Sequence, residues 1–323
     1  MKKIGVLTSG GDSPGMNAGI RAVYKTCAHY GISCIGIRYG YQGLIENDIF
    51  EMQASDVKQI IQHGGTVLQT ARSKEFMEYA GREKAFRNLQ QHGLDALITI
   101  GGDGTFTGAM IFQEEFNFPI IGLPGTIDND IFGTDNTIGY DTALNTVIEA
   151  VDKIRDTATS HHRIFFVEVM GRNSGKIAYH AAIASGADHV LIPETKTNIK
   201  ALANDLAQSK GSRSTIVIVA EGDDEGDGQQ ILSEIKTFLP EFDLKYTKLG
   251  HVQRGGSPSV NDRILATRMG DYAVSLLHLG VFNKIIGMNS GFLTTVDLAS
   301  LDNIINSNHQ ESIQLLDRLL TRH

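Results

Sequence analysis

The stretch "KKIGVLTSGGDSPGMN" (residues 2–17) contains the local pattern that decides the fold. Its first part (2–7) is a short, mostly apolar run, which predicts a buried strand. A glycine-rich turn follows, and Pro14 then stands where a helix would begin, a position that proline suits. A strand, a glycine turn and a helix in this order predict the start of an α/β domain.

Further apolar runs of the same kind recur along the chain. Near-continuous runs are typical of a parallel sheet that is covered on both faces. The segments between them show helical periodicity, as in 139–158, where apolar residues recur on one side of a helix. We therefore expect an α/β fold with right-handed crossovers and with ligands at the carboxyl ends of the strands. The further runs are 33–39, 94–102, 118–123, 163–170, 189–193, 215–221 and 283–288.

Composition limits the class of protein. A chain of 323 residues favours two domains. The net charge of −8, from 29 basic and 37 acidic residues, argues against a nucleic-acid partner. Cys27 and Cys34 are the only cysteines, which excludes a disulfide framework and a cysteine zinc site. No apolar run approaches the roughly 20 residues of a membrane span. We expect a soluble cytoplasmic protein that has neither nucleic acid nor membrane as a partner.

Three short segments resemble other catalytic motifs, but none of them fits its motif in full. "GDSPG" (11–15) fits a hydrolase elbow, but the residue after the serine is Pro14, which has no N–H for an oxyanion hole. "GRNSGK" (171–176) is one residue short of a P-loop, and Ile177 stands where a magnesium-binding hydroxyl is needed. "GGDSPG" also fails the dinucleotide pattern, because Asp12 occupies the second glycine position.

Two Gly-Gly-Asp turns remain, "SGGDSPG" (9–15) and "IGGDGT" (100–105). The free N–H groups where such a turn enters a helix favour an anion. The alternative for the first turn is a tight connection capped by Asp12. Asp103 is tolerable beside a phosphate if it meets a divalent cation, since Mg²⁺ takes one or two carboxylates together with phosphate oxygens. The pattern predicts a magnesium–phosphate site that includes Asp103.

A third acidic cluster, "TIDND" (126–130), follows another expected strand. Asp128 is the candidate that accepts the proton of an attacking hydroxyl. A carboxylate of ordinary pKa near 3.9 is a weak base, but proton transfer can be late in a loose phosphoryl-transfer transition state. Asp130 would orient Mg²⁺ or its waters. The alternative is a capped loop in which these side chains bond the backbone.

These motifs, in this order, resemble the bacterial-type ATP-dependent 6-phosphofructokinase family over nearly the whole chain. The resemblance rests on 5–21, 70–72, 100–105, 122–130, 138–146, 153–163, 167–175, 219–222 and 249–259. It implies Mg²⁺-dependent transfer from ATP to the 1-hydroxyl of fructose 6-phosphate, which yields fructose 1,6-bisphosphate and ADP in glycolysis.

The resemblance also implies two doubly wound, Rossmann-like α/β/α domains in a phosphofructokinase fold. The larger, ATP-binding domain would comprise 1–138 and 251–302, and the smaller, sugar-phosphate domain 139–250 and 303–323. The family assembles as a homotetramer with paired two-fold symmetry.

The resemblance assigns roles by position. Asp128 would be the base, Thr126 would hold the sugar hydroxyl and Arg172 would stabilise the transferring phosphoryl group. Asp103 would bind the metal. The ATP site would comprise Gly11, Arg72, Ser73, Gly102, Asp103, Gly104 and Thr105. The sugar-phosphate site would comprise Thr126, Ile127, Asp128, Arg163, Met170, Gly171, Arg172, Glu221, Lys245, His251, Val252, Gln253 and Arg254.

Several of these side chains also have a purely structural interpretation. Arg163 and Arg172 flank an expected strand, where an arginine often only caps or pairs. His251, taken alone, is more often structural, and we interpret His161 and His162 as structural, since no metal-ligand spacing accompanies them.

Two glycines indicate the phosphoryl donor. Relatives that use pyrophosphate carry Asp at the position of Gly104 and Lys at the position of Gly125. Small residues at both positions leave room for a nucleotide, so we expect ATP. The same resemblance leaves open another acceptor, such as tagatose 6-phosphate, and a non-catalytic nucleotide sensor. A sensor is disfavoured because binding alone needs no base.

The chain departs from the family in two places. Lys245 stands where an arginine usually reaches the sugar phosphate of a neighbouring subunit, so we expect weaker sugar-phosphate binding. In the effector site for ADP and phosphoenolpyruvate, Ala54, Gln59 and Ser212 replace groups that are commonly charged, and we expect blunted control by phosphoenolpyruvate. The remaining effector-site candidates are Arg21, Lys25, Arg155, Gly186, Asp188, Lys210 and Arg213.

Overall fold

The structure, a computed structural model, describes residues 1–161, 163–208, 214–303 and 315. Within these ranges the chain divides into two compact units. The first unit contains 1–142 and 254–303, and the second contains 143–253 and 315. Both units are discontinuous in sequence, and both are built from strands that alternate with helices.

The strands are β1 (Lys3–Thr8), β2 (Ser33–Ile37), β3 (Ile49–Glu51), β4 (Ala96–Gly101), β5 (Ile120–Pro124), β6 (Ile164–Val169), β7 (His189–Leu191), β8 (Thr215–Ala220), β9 (Leu244–Lys248), β10 (Lys284–Asn289) and β11 (Phe292–Asp297). The α-helices are α1 (Met16–His29), α2 (Gly40–Glu46), α3 (Tyr79–Gln91), α4 (Asp103–Phe116), α5 (Tyr140–His161), α6 (Lys176–Ser185), α7 (Ile199–Gln208), α8 (Gly228–Phe238) and α9 (Val260–His278). Short 3-10 turns lie at Glu75–Met77, Gly250–Arg254 and Leu298–Asn303.

The sheet of the first unit has the strand order β11-β10-β5-β4-β1-β2-β3. The interior pairs are parallel, as the apolar runs predict, but β3 and β11 pair antiparallel with their neighbours. The expectation of a parallel sheet therefore holds only for the interior. The edge strands lacked a sequence signal because they are partly exposed and do not form continuous apolar runs.

Helices cover both faces of this sheet. Ile4 and Val6 of β1 belong to a core that α1 and α9 complete, whereas Leu7 points into a second core with Phe106 and Phe112 of α4. The two helices α1 and α9 approach closely at Gly270, where a Cβ would lie 2.7 Å from the carbonyl oxygen of Gly19. These two cores confirm the three-layered α/β/α arrangement in this unit.

The glycine turns occupy the point where the strand order reverses. β1 pairs with β2 on one side and with β4 on the other. The first glycine turn follows β1, and the second follows β4. In open α/β sheets, ligands bind outside the carboxyl ends of the strands at such a switch point. The topology therefore places both turns at the expected ligand-binding edge.

The second unit has a parallel four-stranded sheet in the order β7-β8-β6-β9. One of its faces is covered by α7 and α8, which share a core with β6 and β8. Asp227 begins α8 with a capping box to Gln230, a local reason for the helix to start there. The carboxyl ends of β6, β8 and β9 lead into 170–172, 221–222 and 249–254, where the sequence places sugar-phosphate residues.

Across the described ranges, no helix combines the length and the apolar character needed to cross a bilayer.

Candidate functional site

The first glycine turn is tied to the second through backbone and side-chain contacts. The N–H of Ser9 donates to the carbonyl of Ile100 at 3.0 Å, and the hydroxyl of Thr105 donates to the carbonyl of Ser9 at 3.1 Å. Gly101 has no space for a side chain, because a Cβ would overlap the Thr105 hydroxyl. The two turns therefore form one connected surface at the switch point.

The helix that follows the first turn begins without a side-chain cap. Gly15, at φ 109°, is the N-cap residue of α1, and the first turn of the helix has no acidic side chain. The alternative of an Asp12 cap is therefore wrong. A helix N-terminus that its own side chains do not neutralise is suited to an anion.

The second turn places a carboxylate beside open space. Gly102 is the N-cap of α4, again without a side-chain cap, and Asp103 is the first residue of the helix. Asp103 and Gly104 are exposed, and a Cβ at Gly104 would meet no atom within 4 Å. A single exposed carboxylate at an uncapped helix start fits a Mg²⁺ ion that takes its other ligands from phosphate and water.

Gly125 differs from Gly104 in its surroundings. A Cβ at Gly125 would lie 3.0 Å from Cγ2 of Ile100 and 3.1 Å from Cε of Met16. Of the two glycines that the resemblance links to the choice of donor, Gly104 thus adjoins open space, whereas Gly125 is closely packed by core side chains. Any larger residue at 125 would have to displace core side chains.

The loop after β5 buries Asp128 and exposes Asp130. Ile127 and Ile131 are buried on either side of Asp128 and anchor the loop. The N–H of Asp128 donates to the hydroxyl of Thr126 at 3.2 Å. Asp128 is only 2% exposed, so the loop holds this carboxylate in a fixed, largely water-free position.

Neighbouring side chains complete this loop. Asn129 adopts φ 52°, and its side chain accepts from the N–H of Thr137 and donates to the carbonyl of Asp135. The hydroxyl of Thr137 donates to the carbonyl of Thr126 at 2.6 Å. The capped-loop interpretation therefore describes Asn129 correctly.

The other predicted ATP residues lie on the loop that precedes α3. The hydroxyl of Ser73 donates to Gln42 at 2.6 Å and accepts from the N–H of Phe76 at 3.1 Å, so it holds the loop in place. Arg72 is exposed next to it.

Sequence reasoning missed Asp262, which joins the starts of α5 and α9. Its buried carboxylate accepts from the N–H of Gly139 at 2.8 Å, and from the N–H and hydroxyl of Thr142 at 2.8 and 2.5 Å. Thr142 in turn accepts from the N–H of Ser259, whose hydroxyl caps α9. Burial raises the pKa of Asp262, although these hydrogen bonds oppose the shift. An acidic residue 120 positions away gives no local sequence signal.

The second unit holds Arg172 in a left-handed backbone conformation. Arg172 has φ 51° and Gly171 has φ 146°. The N–H groups of these two residues donate to one carboxylate oxygen of Glu221, at 3.0 and 3.3 Å. Gly222 leaves room for the carbonyl of Arg172, which a Cβ there would overlap. Glu221 thus stabilises a strained turn at Gly171 and Arg172.

The segment after β9 is anchored by one buried amide. Gln253 is fully buried, accepts from the N–H of Met170 at 3.3 Å and donates to the carbonyl of Gly250 at 3.0 Å. His251 and Val252 are exposed beside it. The structure therefore brings together Met170, Gly171, Arg172, Glu221 and Gln253 at one edge of this sheet.

Arg163 and Lys245 share one carboxylate. Nε of Arg163 is 2.6 Å from Asp243, and Nζ of Lys245 is 2.7 Å from the other oxygen of the same residue. The two cations lower the pKa of Asp243 through hydrogen bonds and charge attraction, with Lys245 the larger cause. Within the described part of this single chain, Arg163 therefore forms an ion pair, as its structural interpretation proposed.

A second carboxylate that the sequence did not single out is Glu168 of β6, which is 1% exposed. It lies 2.6 Å from Nζ of Lys248, accepts from the hydroxyl of Tyr246 at 2.6 Å and accepts from the N–H of Gly228 at 2.9 Å. Burial and the neighbouring Glu168 carboxylate raise the pKa of Tyr246. The N-terminus of α8 and a lysine together stabilise this buried charge.

The effector-site candidates are only partly described. Arg155 donates to the carbonyls of Ser185 and Gly186, at 2.9 and 3.0 Å, and Asp188 accepts from the N–H of Ile216 at 2.8 Å. Arg21 and Lys25 reach the surface of α1. His162, Lys210, Ser212 and Arg213 lie outside the described residues, as does the side chain of His161.

Comparison with known proteins identifies the family. The phosphofructokinase family model matches residues 3–277, so the chain belongs to the phosphofructokinase family. It is 52% identical to "ATP-dependent 6-phosphofructokinase 2" of Bacteroides thetaiotaomicron over 89% of each chain. It is also 50% identical to "ATP-dependent 6-phosphofructokinase 1" of Thermus thermophilus over 93% of each chain.

Solved structures agree with this assignment. The phosphofructokinase of Saccharomyces cerevisiae superposes with a TM-score of 0.87 at 36% identity over 99% of this chain. The present chain spans about half, 47%, of that yeast chain. A pyrophosphate-dependent phosphofructokinase from Marinobacter aquaeolei, at 20% identity and a TM-score of 0.83, shares the fold. These matches confirm the predicted phosphofructokinase fold and family resemblance.

Proposed function

We propose that this chain transfers the γ-phosphoryl group of ATP to the 1-hydroxyl of fructose 6-phosphate and releases fructose 1,6-bisphosphate and ADP. Curated relatives at about half identity are named ATP-dependent 6-phosphofructokinases, and this chain covers most of their length. The observation that carries the proposal is the buried Asp128. The loop after β5 holds this residue close to the second glycine turn. A Cβ at Gly102 in that turn would be 3.4 Å from Thr126.

The first unit binds the nucleotide in this proposal. The uncapped starts of α1 and α4 offer backbone N–H groups to the phosphates. Asp103 holds Mg²⁺, which neutralises charge that develops on the phosphate oxygens. The open space beside Gly104 supports ATP rather than pyrophosphate as the donor.

Asp128 orients the attacking hydroxyl and accepts its proton as negative charge develops. Because the residue is buried, few water molecules compete for that hydrogen bond. Thr126 holds the same hydroxyl group of the sugar. Arg172 stabilises the transferring phosphoryl group, and the strained turn pinned by Glu221 limits the entropy that the arginine loses in doing so.

The second unit binds the sugar phosphate. Glu221 and His251 contact the sugar and its phosphate, a role that the resemblance also assigns to Arg254 of the first unit. Arg163 and Lys245 act on the phosphate bound by a neighbouring subunit. This arrangement requires a closed homo-oligomer, and a homotetramer satisfies it. The protein works in the cytoplasm, and its response to phosphoenolpyruvate is blunted by Ala54, Gln59 and Ser212.

Replacing Asp128 with asparagine tests the chemistry. Asp128→Asn keeps the shape but removes the base, so turnover falls by about 10²–10⁴-fold. A coupled ADP assay measures the rate, and circular dichroism verifies the fold. Asp135→Asn is the matched control, because among the described residues this carboxylate of the same loop accepts only from the N–H of Ser290. Retention of turnover by a folded Asp128→Asn protein contradicts the proposed role.

The same assay separates donors and acceptors. ATP and pyrophosphate are each offered with fructose 6-phosphate and with tagatose 6-phosphate. We expect the highest kcat/KM with ATP and fructose 6-phosphate. A preference for pyrophosphate or for tagatose 6-phosphate would replace the proposed substrates, and the absence of any turnover would favour a nucleotide sensor.

A further inference from the structure

Two consecutive carbonyl groups of the first glycine turn are each held by a threonine hydroxyl. The hydroxyl of Thr105, in the second glycine turn, donates to the carbonyl of Ser9 at 3.1 Å. The hydroxyl of Thr70 donates to the next carbonyl, that of Gly10, at 2.8 Å. Thr70 lies two residues before Arg72 in the loop that precedes α3. These two hydroxyls therefore join the three segments that the resemblance assigns to ATP.

The backbone at Gly10 gives the second of these hydrogen bonds a consequence. Gly10 has φ 82°, a left-handed conformation that other residues adopt only with strain. The described residues contain no cis peptide bond, so the peptide unit between Gly10 and Gly11 is planar and trans. In such a unit the C=O and the N–H point in opposite directions. By holding the carbonyl, Thr70 therefore fixes the direction of the Gly11 N–H.

The N–H of Gly11 keeps its hydrogen-bonding capacity for a ligand. Gly10 and Gly11 are only partly buried, and neither N–H has an acceptor among the described residues. The turn leads into α1, whose N-terminus has no side-chain cap. Backbone N–H groups at such a point bind phosphate oxygens. The direction of this one N–H thus matters for an anion that binds at the turn.

The segment that carries Thr70 is fixed independently of this hydrogen bond. The hydroxyl of Thr8, at the end of β1, donates to the carbonyl of Gln69 at 2.8 Å. The N–H of Tyr39 donates at 2.9 Å to the carbonyl of Leu68, whose side chain is buried. Removal of the Thr70 hydroxyl therefore leaves the segment in place, and its effect on the turn can be measured separately from folding.

We propose that Thr70 is a positioning residue for the nucleotide. Its hydroxyl orients the peptide unit between Gly10 and Gly11 so that the N–H of Gly11 donates to a phosphate oxygen. The inference rests on the proposed function, which gives Thr70 no role. Without the hydroxyl this peptide unit can rotate, since both flanking residues are glycines. Rotation would replace the N–H donor with a carbonyl oxygen, which repels phosphate.

Thr70→Val tests this role, because valine has nearly the same shape and no hydroxyl. We expect the Kd for MgADP, measured by isothermal titration calorimetry without sugar phosphate, to rise about three- to tenfold, as for one lost hydrogen bond. In the coupled assay the KM for ATP should rise by a similar factor, while kcat and the KM for fructose 6-phosphate change by less than about twofold. The unfolding midpoint in urea should stay close to that of the natural protein.

Two further variants separate this hydrogen bond from general effects. Thr70→Ser keeps the hydroxyl, so its Kd for MgADP should stay within about twofold of the natural value. Thr26→Val is the matched control, since the hydroxyl of Thr26 on α1 donates to Asp271 of α9 at 2.8 Å. It removes a hydrogen bond of the same length from the helix that follows the turn. It should leave the Kd for MgADP unchanged even if the unfolding midpoint falls.

Three results would overturn the inference and leave the proposed function intact. They are an unchanged Kd for MgADP in folded Thr70→Val, an equal loss in Thr70→Ser, and a KM for fructose 6-phosphate that rises as much as the KM for ATP. If Thr70→Val fails to fold, Thr70→Ala replaces it with the same expectation and the same contrary outcomes. A natural protein that neither binds MgADP nor turns over ATP would overturn the proposed function and this inference together.

Discussion

Arg254 in the first unit and Arg163 in the second are both predicted phosphate ligands, and the structure surrounds them differently. Arg254 meets a neutral backbone carbonyl, whereas Arg163 and Lys245 share the carboxylate of Asp243. A cation beside a neutral group keeps its full attraction for an anion. When a cation is already paired with a carboxylate, a phosphate must either bind beside that carboxylate or displace it from the cation.

Two buried carboxylates, one in each unit, show a similar contrast. Asp262 in the first unit is held by backbone and hydroxyl donors, whereas Glu168 in the second also meets Lys248. Both side chains are 1% exposed. Asp262 is thus satisfied by dipoles, whereas Glu168 also has an opposite charge beside it, so the two carboxylates should differ in their response to mutation, salt and pH.

The largest expected effect on stability is that of Asp262→Asn. The amide nitrogen of the new side chain would face the N–H and hydroxyl of Thr142, so buried donors would lose their acceptor. We expect the first unit to lose about 2–3 kcal/mol of unfolding free energy. Urea unfolding measures it, and Thr142→Ser, which keeps the hydroxyl, serves as the control. An unchanged unfolding midpoint would show that these dipoles do not hold α5 and α9 together.

Asp262 should also leave a signature in the pH dependence of stability. Since burial raises its pKa above the ordinary 3.8, the folded protein keeps a proton at pH values where the unfolded chain has released it. Its contribution to stability therefore declines as the pH rises from 3.8 through the raised pKa. The unfolding midpoints of the natural protein and of Asp262→Asn, compared across this pH range, test whether the contribution of Asp262 declines with rising pH. A contribution that instead grows with pH contradicts the direction of the shift.

A smaller loss is expected for Glu168→Gln. The substitution removes the partner of Lys248, but the lysine side chain is 52% exposed and water can solvate it. Tyr246 and the N–H of Gly228 can still donate to an amide oxygen. We expect a loss of about 1–2 kcal/mol in the second unit, measured by urea unfolding. A loss that exceeds that of Asp262→Asn would reverse the comparison between the units.

Asp243→Asn tests whether pairing competes with phosphate. It frees Arg163 and Lys245, so we expect the apparent affinity for fructose 6-phosphate to rise about two- to fivefold, in the range of an exposed ion pair, with kcat unchanged. Glu241→Gln removes the same charge from the adjacent loop and should have no effect. Weaker binding in Asp243→Asn would instead mean that the carboxylate orients both cations for the phosphate.

The smallest effect is expected for Lys245→Arg. A guanidinium binds phosphate through a fork, which favours a gain in affinity for fructose 6-phosphate. Because Asp243 engages residue 245, the gain should be about twofold at most, comparable with an exposed ion pair. It should grow in the Asp243→Asn background. Steady-state KM values in both backgrounds measure this, and the absence of a gain in either would refute the expected benefit of arginine.

The parts that the sequence predicted are those with local signals. Continuous apolar runs predicted the strands β1, β4, β5, β6 and β8, and the glycine turns after β1 and β4 lie at the switch point as expected. The edge strands β3, β9 and β11 were missed, because a half-exposed strand does not form a continuous apolar run. The roles assigned to individual site residues stay predictions until variants are measured.

By itself, the sequence determined the α/β class, the family and the identity of the candidate site residues. Apolar runs, glycine turns and the order of the motifs are local patterns that can be read from the sequence alone. Only the tertiary structure decided which charges meet. The pairing of Arg163 and Lys245 with Asp243, the donors around Asp262 and the packing of Arg254 on Gly11 join residues far apart in sequence. Electrostatic attraction depends on distance and burial in space, and no local pattern records either quantity.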